Sequence, residues 1–365
     1  MPLVRVLSSS PRALAALALA ALLGAPGASA RSMGVAVLPA TASAAELTLF
    51  YPTDAPTQLL RRGAAELPLA PDAPPGAGNG RLIAISHGSG GGPWGYATLA
   101  QALVDAGFTV ALPLHAGDNW RDNAHPGPDS WAQRPAEISA ALDRVAADPR
   151  FAALRLDRVG AFGMSAGGHT MLSLAGGAWS PARFQAHCEQ HLREDFHSCV
   201  GLATSLRGDG WDGLKLWVAR RVLAWRFSDA TPRVHDDARI AAVVAGVPFA
   251  ADFDPASLAR PRVSLALITA DADRWLLPRF HSDRVLAACA SCELLVRLPD
   301  GGHGALLAPA PPPEALGELE RTLIVDPPGF DREAAVARWV AATVAFFQRQ
   351  LLPVESGGAD STPGR

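Results

Sequence analysis

The strongest constraint on this chain is a rhythm, in which strand-length apolar segments alternate with stretches of helical periodicity. "ELTLFYP" (46–52) is followed by "RLIAISHG" (81–88), "FTVALPLH" (108–115), "RVGAFGMS" (158–165), "IAAVVAGVPF" (240–249), "RVSLALITA" (262–270) and "ELLVRLP" (293–299). Most are apolar on both faces, as strands of a parallel sheet must be when helices cover each side. Between them, Leu99 and Leu103 share a helical face within 94–107, and Ile138, Leu142 and Val145 do so within 134–147. Val336, Trp339, Val340, Val344 and Phe347 form a stripe through 331–351. The alternation predicts an α/β fold with a mostly parallel, doubly wound sheet.

Two regions break the rhythm. The Pro/Gly-rich stretch 61–80 reads as a loop. Residues 177–239 are too long for a simple connection and carry Trp179, Trp211, Trp217 and Trp225, so they read as an inserted cap. A single domain over 31–351 with that cap is expected, followed by a disordered tail, 352–365. The first 30 residues read as a signal peptide: Arg5 and Arg12, a short apolar run, and "ASA" at 28–30. Its removal deletes two arginines and no acids, so the net charge of −3 becomes −5. No later apolar run reaches spanning length, so the mature chain is expected to have no transmembrane segment and to be periplasmic or secreted. A balance of 32 basic and 35 acidic residues gives no nucleic-acid signature.

Export bears on the cysteines. Cys188, Cys199, Cys289 and Cys292 are an even number in two sequence-local pairs, and an oxidising compartment makes 188–199 and 289–292 the simplest disulfides. "CASC" follows an apparent helix, whereas redox pairs sit at a helix N-terminus. His187, His191 and His197 near Cys188 and Cys199 offer ligand types, but their spacing fits no standard zinc pattern, and no metal is expected.

One strand-to-helix junction carries the chemistry. "GMSAGG" sets Ser165 between Gly163 and Gly167, where a buried strand ends and a helix begins. Small residues suit a turn this tight, and the hydroxyl then projects above the sheet. In such an arrangement an acid and then a histidine follow in chain order, and His303 in "LPDGGHGALL" is the expected base. "ITADADRW" offers Asp271 and Asp273 as its orienting acid. Asp273 is favoured because it lies deeper in the loop, and Asp300 is too near His303 in sequence. Two backbone N–H groups should form an oxyanion hole, those of Ala166 and of Ser89 in "SHGSGGG". Trp94, Tyr96, His115, Trp120, Met164, Trp211 and Trp275 are candidates for the walls of a substrate pocket.

Taken in order, "SHGSGG", "RPAEISAALDRV", "GMSAGG", "ADFDPASLARPRVSLALITADAD" and "DGGHGALLAP" resemble the serine-dependent, dienelactone-hydrolase-like branch of the α/β-hydrolases. The resemblance spans 46–351 and extends to platelet-activating-factor acetylhydrolases. Those place their acid where this chain has "AGVPFAADF", and true dienelactone hydrolases use cysteine where this chain has Ser165. The resemblance implies an α/β-hydrolase fold and hydrolysis of a small-molecule or lipid-like ester by a Ser-His-Asp triad, through an acyl-enzyme and without a cofactor. A peptidase or amidase of the same fold, or a catalytically silent ligand-binding relative, stands as the alternative.

Overall fold

A computed structural model of the protein describes residues 31–353 apart from 43 and 64. The expected signal peptide and the tail from residue 354 lie outside the described residues. The strands are β1 (Ser32–Leu38), β2 (Leu47–Thr53), β3 (Gln58–Arg62), β4 (Ala65–Pro71), β5 (Leu82–Ser86), β6 (Thr109–Pro113), β7 (Val159–Met164), β8 (Ile240–Gly246), β9 (Ser264–Ala270) and β10 (Glu293–Leu298). They form one sheet in the order β10-β9-β8-β7-β5-β6-β2-β1-β4-β3. From β10 through β6 every pairing is parallel, and β2 runs antiparallel to both β6 and β1.

The helices are α1 (Ala97–Asp105), α2 (Pro128–Ala147), α3 (Ala166–Leu174), α4 (Pro181–His191), α5 (Phe196–Val200), α6 (Asp212–Arg226), α7 (Ser282–Ala288), α8 (Glu318–Ile324) and α9 (Arg332–Leu351). The period-two geometry of the strands divides the core into two layers. Leu82, Ala84, Ala161, Val243 and Leu267 face the layer that holds α2 and α3. Ile83, Ile85, Phe162, Val244 and Ile268 face the layer that holds α1 and α9. Burial on both sides explains why these strands read as continuous apolar runs.

Because β6 and β7 lie on opposite sides of β5, the helices that follow β5 and β7 leave on opposite faces. That reversal opens a crevice at the C-terminal ends of β5 and β7, where ligands bind in doubly wound sheets.

Three departures from the sequence reading concern weak signals. Residues 58–71, expected to be loop from 61 onward, form the edge hairpin β3–β4. Its strands are largely exposed, and β4 contains Pro68 and Pro71, so neither apolar periodicity nor composition marks them. β1, with its buried middle, is a further strand beyond those the apolar runs predict. Helix α2 starts at Pro128 rather than near 134. Pro128 occupies the first turn, where a missing N–H costs nothing, while Pro135 sits inside the helix and disguised its continuity.

Residues 177–239 hold α4, α5 and α6. Their inner side joins the α2–α3 core, where the Trp131 ring lies 5.7 Å from Phe184, 6.1 Å from Trp179 and 6.2 Å from Phe227. Both disulfides are formed, Cys188–Cys199 within this segment and Cys289–Cys292 between α7 and β10. His187 Nε2 lies 2.7 Å from Asp195 Oδ2, and His281, just before α7, approaches the same oxygen at 3.4 Å. Burial pushes the Asp195 carboxyl up, but hydrogen bonds and positive charge from the two histidines outweigh it and hold its pKa at about 2. No described helix is long and apolar enough to cross a membrane.

Candidate active site

Ser165 occupies the turn between β7 and α3 with φ 60° and ψ −120°. A side-chain-bearing residue in this region costs about 1–3 kcal/mol, so the surroundings must hold it there. Its N–H donates to Gly246 O at 3.0 Å, and its carbonyl accepts from His169 at 3.0 Å and Phe249 at 3.1 Å. The glycines have a steric reason. A Cβ on Gly163 would collide with the backbone of Gly167, and one on Gly167 with the carbonyl of Ser86. On Gly168 it would lie 2.7 Å from Pro248 Cα. The first-turn N–H groups of α3, Ala166 included, have no intrahelical acceptor and lend positive potential beside the hydroxyl.

The loop after β5 lies against this turn, since a Cβ on Gly88 would stand 3.5 Å from Ser165 Cβ. The buried Tyr96 hydroxyl accepts the Gly88 N–H at 3.0 Å, and burial raises the phenol pKa to about 12. Ser89 Oγ donates to Asp118 Oδ1 at 2.5 Å, and Gly90 N–H donates to the same oxygen at 3.0 Å. The hydroxyl of Ser89 is thereby turned to the fold, while its N–H has no hydrogen-bond partner among the described residues.

Asp118 is fully buried and paired with the equally buried Arg134 of α2, Nη2 to Oδ2 at 2.8 Å. Ser130 also donates to Asp118, and Arg134 Nη1 reaches the carbonyl of His87. Burial pushes the Asp118 carboxyl up, but the Arg134 charge and the bonds from Ser89, Ser130 and Arg134 hold it below its ordinary value. The sequence reading did not single out Asp118 or Arg134. The signal was present, because Arg134 stands four residues before Ile138 on the stripe that continues through Leu142 and Val145. A charge on a core-facing helical stripe calls for a buried partner.

Beneath the same loop runs a chain of polar groups. Ser86 Oγ lies 2.8 Å from His115 Nε2, and His115 Nδ1 lies 2.6 Å from Glu137 Oε2. His87 donates from Nδ1 to Gly88 O and accepts the His115 N–H on Nε2. Burial drives both imidazole pKa values well below the usual range, the charge of Arg134 adds to this, and burial raises Glu137. Ser86, in turn, donates to Thr170 Oγ1 at 3.2 Å, which requires His115 Nε2 to be its donor and Nδ1 an acceptor. An acceptor at Nδ1 suits a protonated Glu137, and burial raises that carboxyl's pKa. The order hydroxyl, imidazole, carboxyl imitates a triad, but Ser86 and His115 are sealed from solvent. They brace the loop from below.

At the far side, Asp273 follows β9 and His303 begins a short turn after β10. His303 Nδ1–H donates to Asp273 Oδ2 at 2.7 Å. Asp273 Oδ1 accepts from the N–H groups of Trp275 at 2.8 Å and Leu276 at 2.9 Å, which locks the carboxylate plane. With Nδ1 as donor, His303 keeps Nε2 as an acceptor. Arg332 of α9 supports the histidine turn through Gly304 O and Leu307 O. Asp271 points elsewhere, to Arg297 at 2.6 Å, and Asp300 is exposed. Among the described residues no hydrogen bond joins Ser165 to His303. They share the same end of the sheet: Gly246, bonded to Ser165, packs against Leu306 of the histidine turn.

The pocket candidates divide. Trp120 is 58 % exposed and covers Gly92 beside the Ser89 loop. Trp275 is buried and stacks on His197 at 4.3 Å, directly behind the Asp273 turn. Met164 is buried in β7, Tyr96 and His115 are buried supports of the loop, and Trp94 packs on Phe50 at 5.9 Å. Trp211 is 65 % exposed on the cap. His169, one turn into α3, bonds Asp252 at 3.0 Å in the core.

Neither protein-family models nor curated proteins give a match to this chain.

Proposed function

We propose that the protein is an exported serine hydrolase of carboxylic esters with an α/β-hydrolase fold. The observation that carries this reading is the strained, glycine-bounded Ser165 turn, set at the strand-order reversal beside a loop whose next N–H is unpaired. The chain order serine, aspartate, histidine and the His303–Asp273 hydrogen bond support it.

In this reading Ser165 Oγ attacks the ester carbonyl carbon while His303 Nε2 takes the hydroxyl proton. Asp273 holds the imidazole in that tautomer and stabilises the imidazolium. The N–H groups of Ala166 and Ser89 receive the developing oxyanion. The proton on Nε2 passes to the departing alkoxide, and an activated water then releases the acid and restores Ser165. The Ser165–His303 hydrogen bond closes when substrate is bound, since such contacts are often long in free enzymes. The two disulfides accord with an oxidising compartment.

Labelling by a fluorophosphonate probe tests this, with p-nitrophenyl esters and p-nitroanilides compared as substrates. Ser165→Ala should abolish both labelling and ester turnover. A folded parent protein that takes up no probe at Ser165 would sink the proposal, and faster anilide turnover would move it to the amidases.

A further inference from the structure

Helix α6 of the cap is apolar on two opposite sides. Leu216, Ala219 and Leu223 face the core, whereas Leu214, Trp217, Val218, Val222 and Trp225 lie on the side away from it. Trp225 is 81 % exposed and Trp217 57 %, and Trp211 precedes them at the N-terminal end. A surface helix ordinarily turns charged and polar residues outward, and an apolar outer face of this size marks an interaction site.

The charges around that face indicate its occupant. Lys215 is neutralised by Asp212, but Arg220, Arg221 and Arg226 have no carboxylate partner among the described residues. Arg221 lies over the Trp217 ring at 5.7 Å, and Arg226 donates to Pro126 O at 2.8 Å. The helix therefore carries a net charge of +3 in a chain of net charge −3. A second copy of the chain would set this face against itself across a two-fold axis and crowd like charges. Tryptophans and arginines on a convex helix face suit a negatively charged lipid surface, where indole rings sit at headgroup level and guanidinium groups meet phosphates.

We propose that α6 is a docking helix that lays the protein on an anionic lipid surface. The Arg226–Pro126 bond ties α6 to the segment that carries the exposed Trp120 and Arg121, and Trp120 packs beside the Ser89 loop. Through that bond, docking by α6 is coupled to the segment beside the Ser89 loop. That the surface supplies the ester rests on the hydrolase reading; the docking itself does not.

Co-sedimentation of the full chain with phosphatidylcholine vesicles, with and without phosphatidylglycerol, tests the docking. The parent should bind only the phosphatidylglycerol vesicles, with a blue shift of tryptophan emission and loss of binding in high salt. Trp217→Ser with Trp225→Ser should abolish binding, and Arg220→Glu with Arg221→Glu should weaken it roughly tenfold or more. Both double variants should keep the parent melting temperature and its turnover of a soluble short-chain ester. No binding, equal binding to both vesicles, or binding unchanged by these variants overturns the proposal. So does a parent dimer that the tryptophan variants dissociate in the absence of lipid binding. Vesicle binding by a parent without esterase activity would leave docking intact and remove the hydrolase reading.

Discussion

Arg134 and Asp118 form an ion pair of 2.8 Å in which neither side chain has any exposure, directly beneath the Ser89–Gly90 turn. Asp118 serves four donors at once: Arg134, Ser130, the Ser89 hydroxyl and the Gly90 N–H. Asp118→Asn leaves the guanidinium buried without a counter-charge and should cost about 3–5 kcal/mol of stability. In the hydrolase reading, displacing the Ser89 N–H by about 1 Å should also lower kcat roughly a hundredfold. Urea unfolding and ester kinetics on the same sample check both. Full kcat in the destabilised variant would show that the pair supports the fold and not the oxyanion site.

The choice between the two aspartates after β9 is testable by a matched pair of variants. Asp273→Asn keeps an acceptor for the Trp275 and Leu276 N–H groups, so the loop should survive. His303 then loses its anionic partner and its tautomer, and kcat should fall by about three to four orders of magnitude. Asp271→Asn breaks only a half-exposed bridge to Arg297 and should leave kcat within about twofold, in line with the small worth of surface pairs.

Glu137 gives a pH-dependent prediction. Burial raises its pKa, so the folded chain holds the carboxyl proton more tightly than the unfolded chain does. The stability from that proton is fully present below the unfolded-state pKa and is lost as pH rises through the raised native value. Glu137→Gln mimics the protonated form, with an amide that donates to His115 Nδ1 and an oxygen that still accepts the Ala116 N–H. Thermal melts should find it close to the parent in mild acid and gaining on the parent as pH rises. A variant that loses stability at every pH would show that Glu137 is ionised in the fold.

The Cys188–Cys199 bridge joins two positions 11 apart inside the cap, worth about 3 kcal/mol by chain entropy. Cys188→Ser with Cys199→Ser should open the cap before the sheet. Limited trypsin digestion should cut the variant sooner at the exposed Arg220 and Arg221, with the parallel sheet surviving as a resistant fragment. Equal cutting of parent and variant would place the cap's stability in its aromatic core alone.

The sequence alone determined the parallel half of the sheet, because strands buried on both faces must be apolar at nearly every position. It also determined the Ser165 turn, because only glycine fits where the backbones of β7, α3 and β5 converge. The stretch 61–80 was legible only in part, since an exposed edge hairpin needs neither apolar alternation nor a long run. Tertiary structure decided what depends on distant partners. Asp273 and Asp271 are two positions apart, and the path of the His303 turn, set by Arg332 and the packing of Leu306, decides which of them the histidine meets. The sequence marks Arg134 as an arginine on a core stripe, but its partner Asp118 lies in a loop 16 residues earlier. The outward face of α6 is the same case. Its residues spell an apolar helix, and which side meets the core follows from packing against α4 and α5, because burial is a property of neighbours and not of the residue itself.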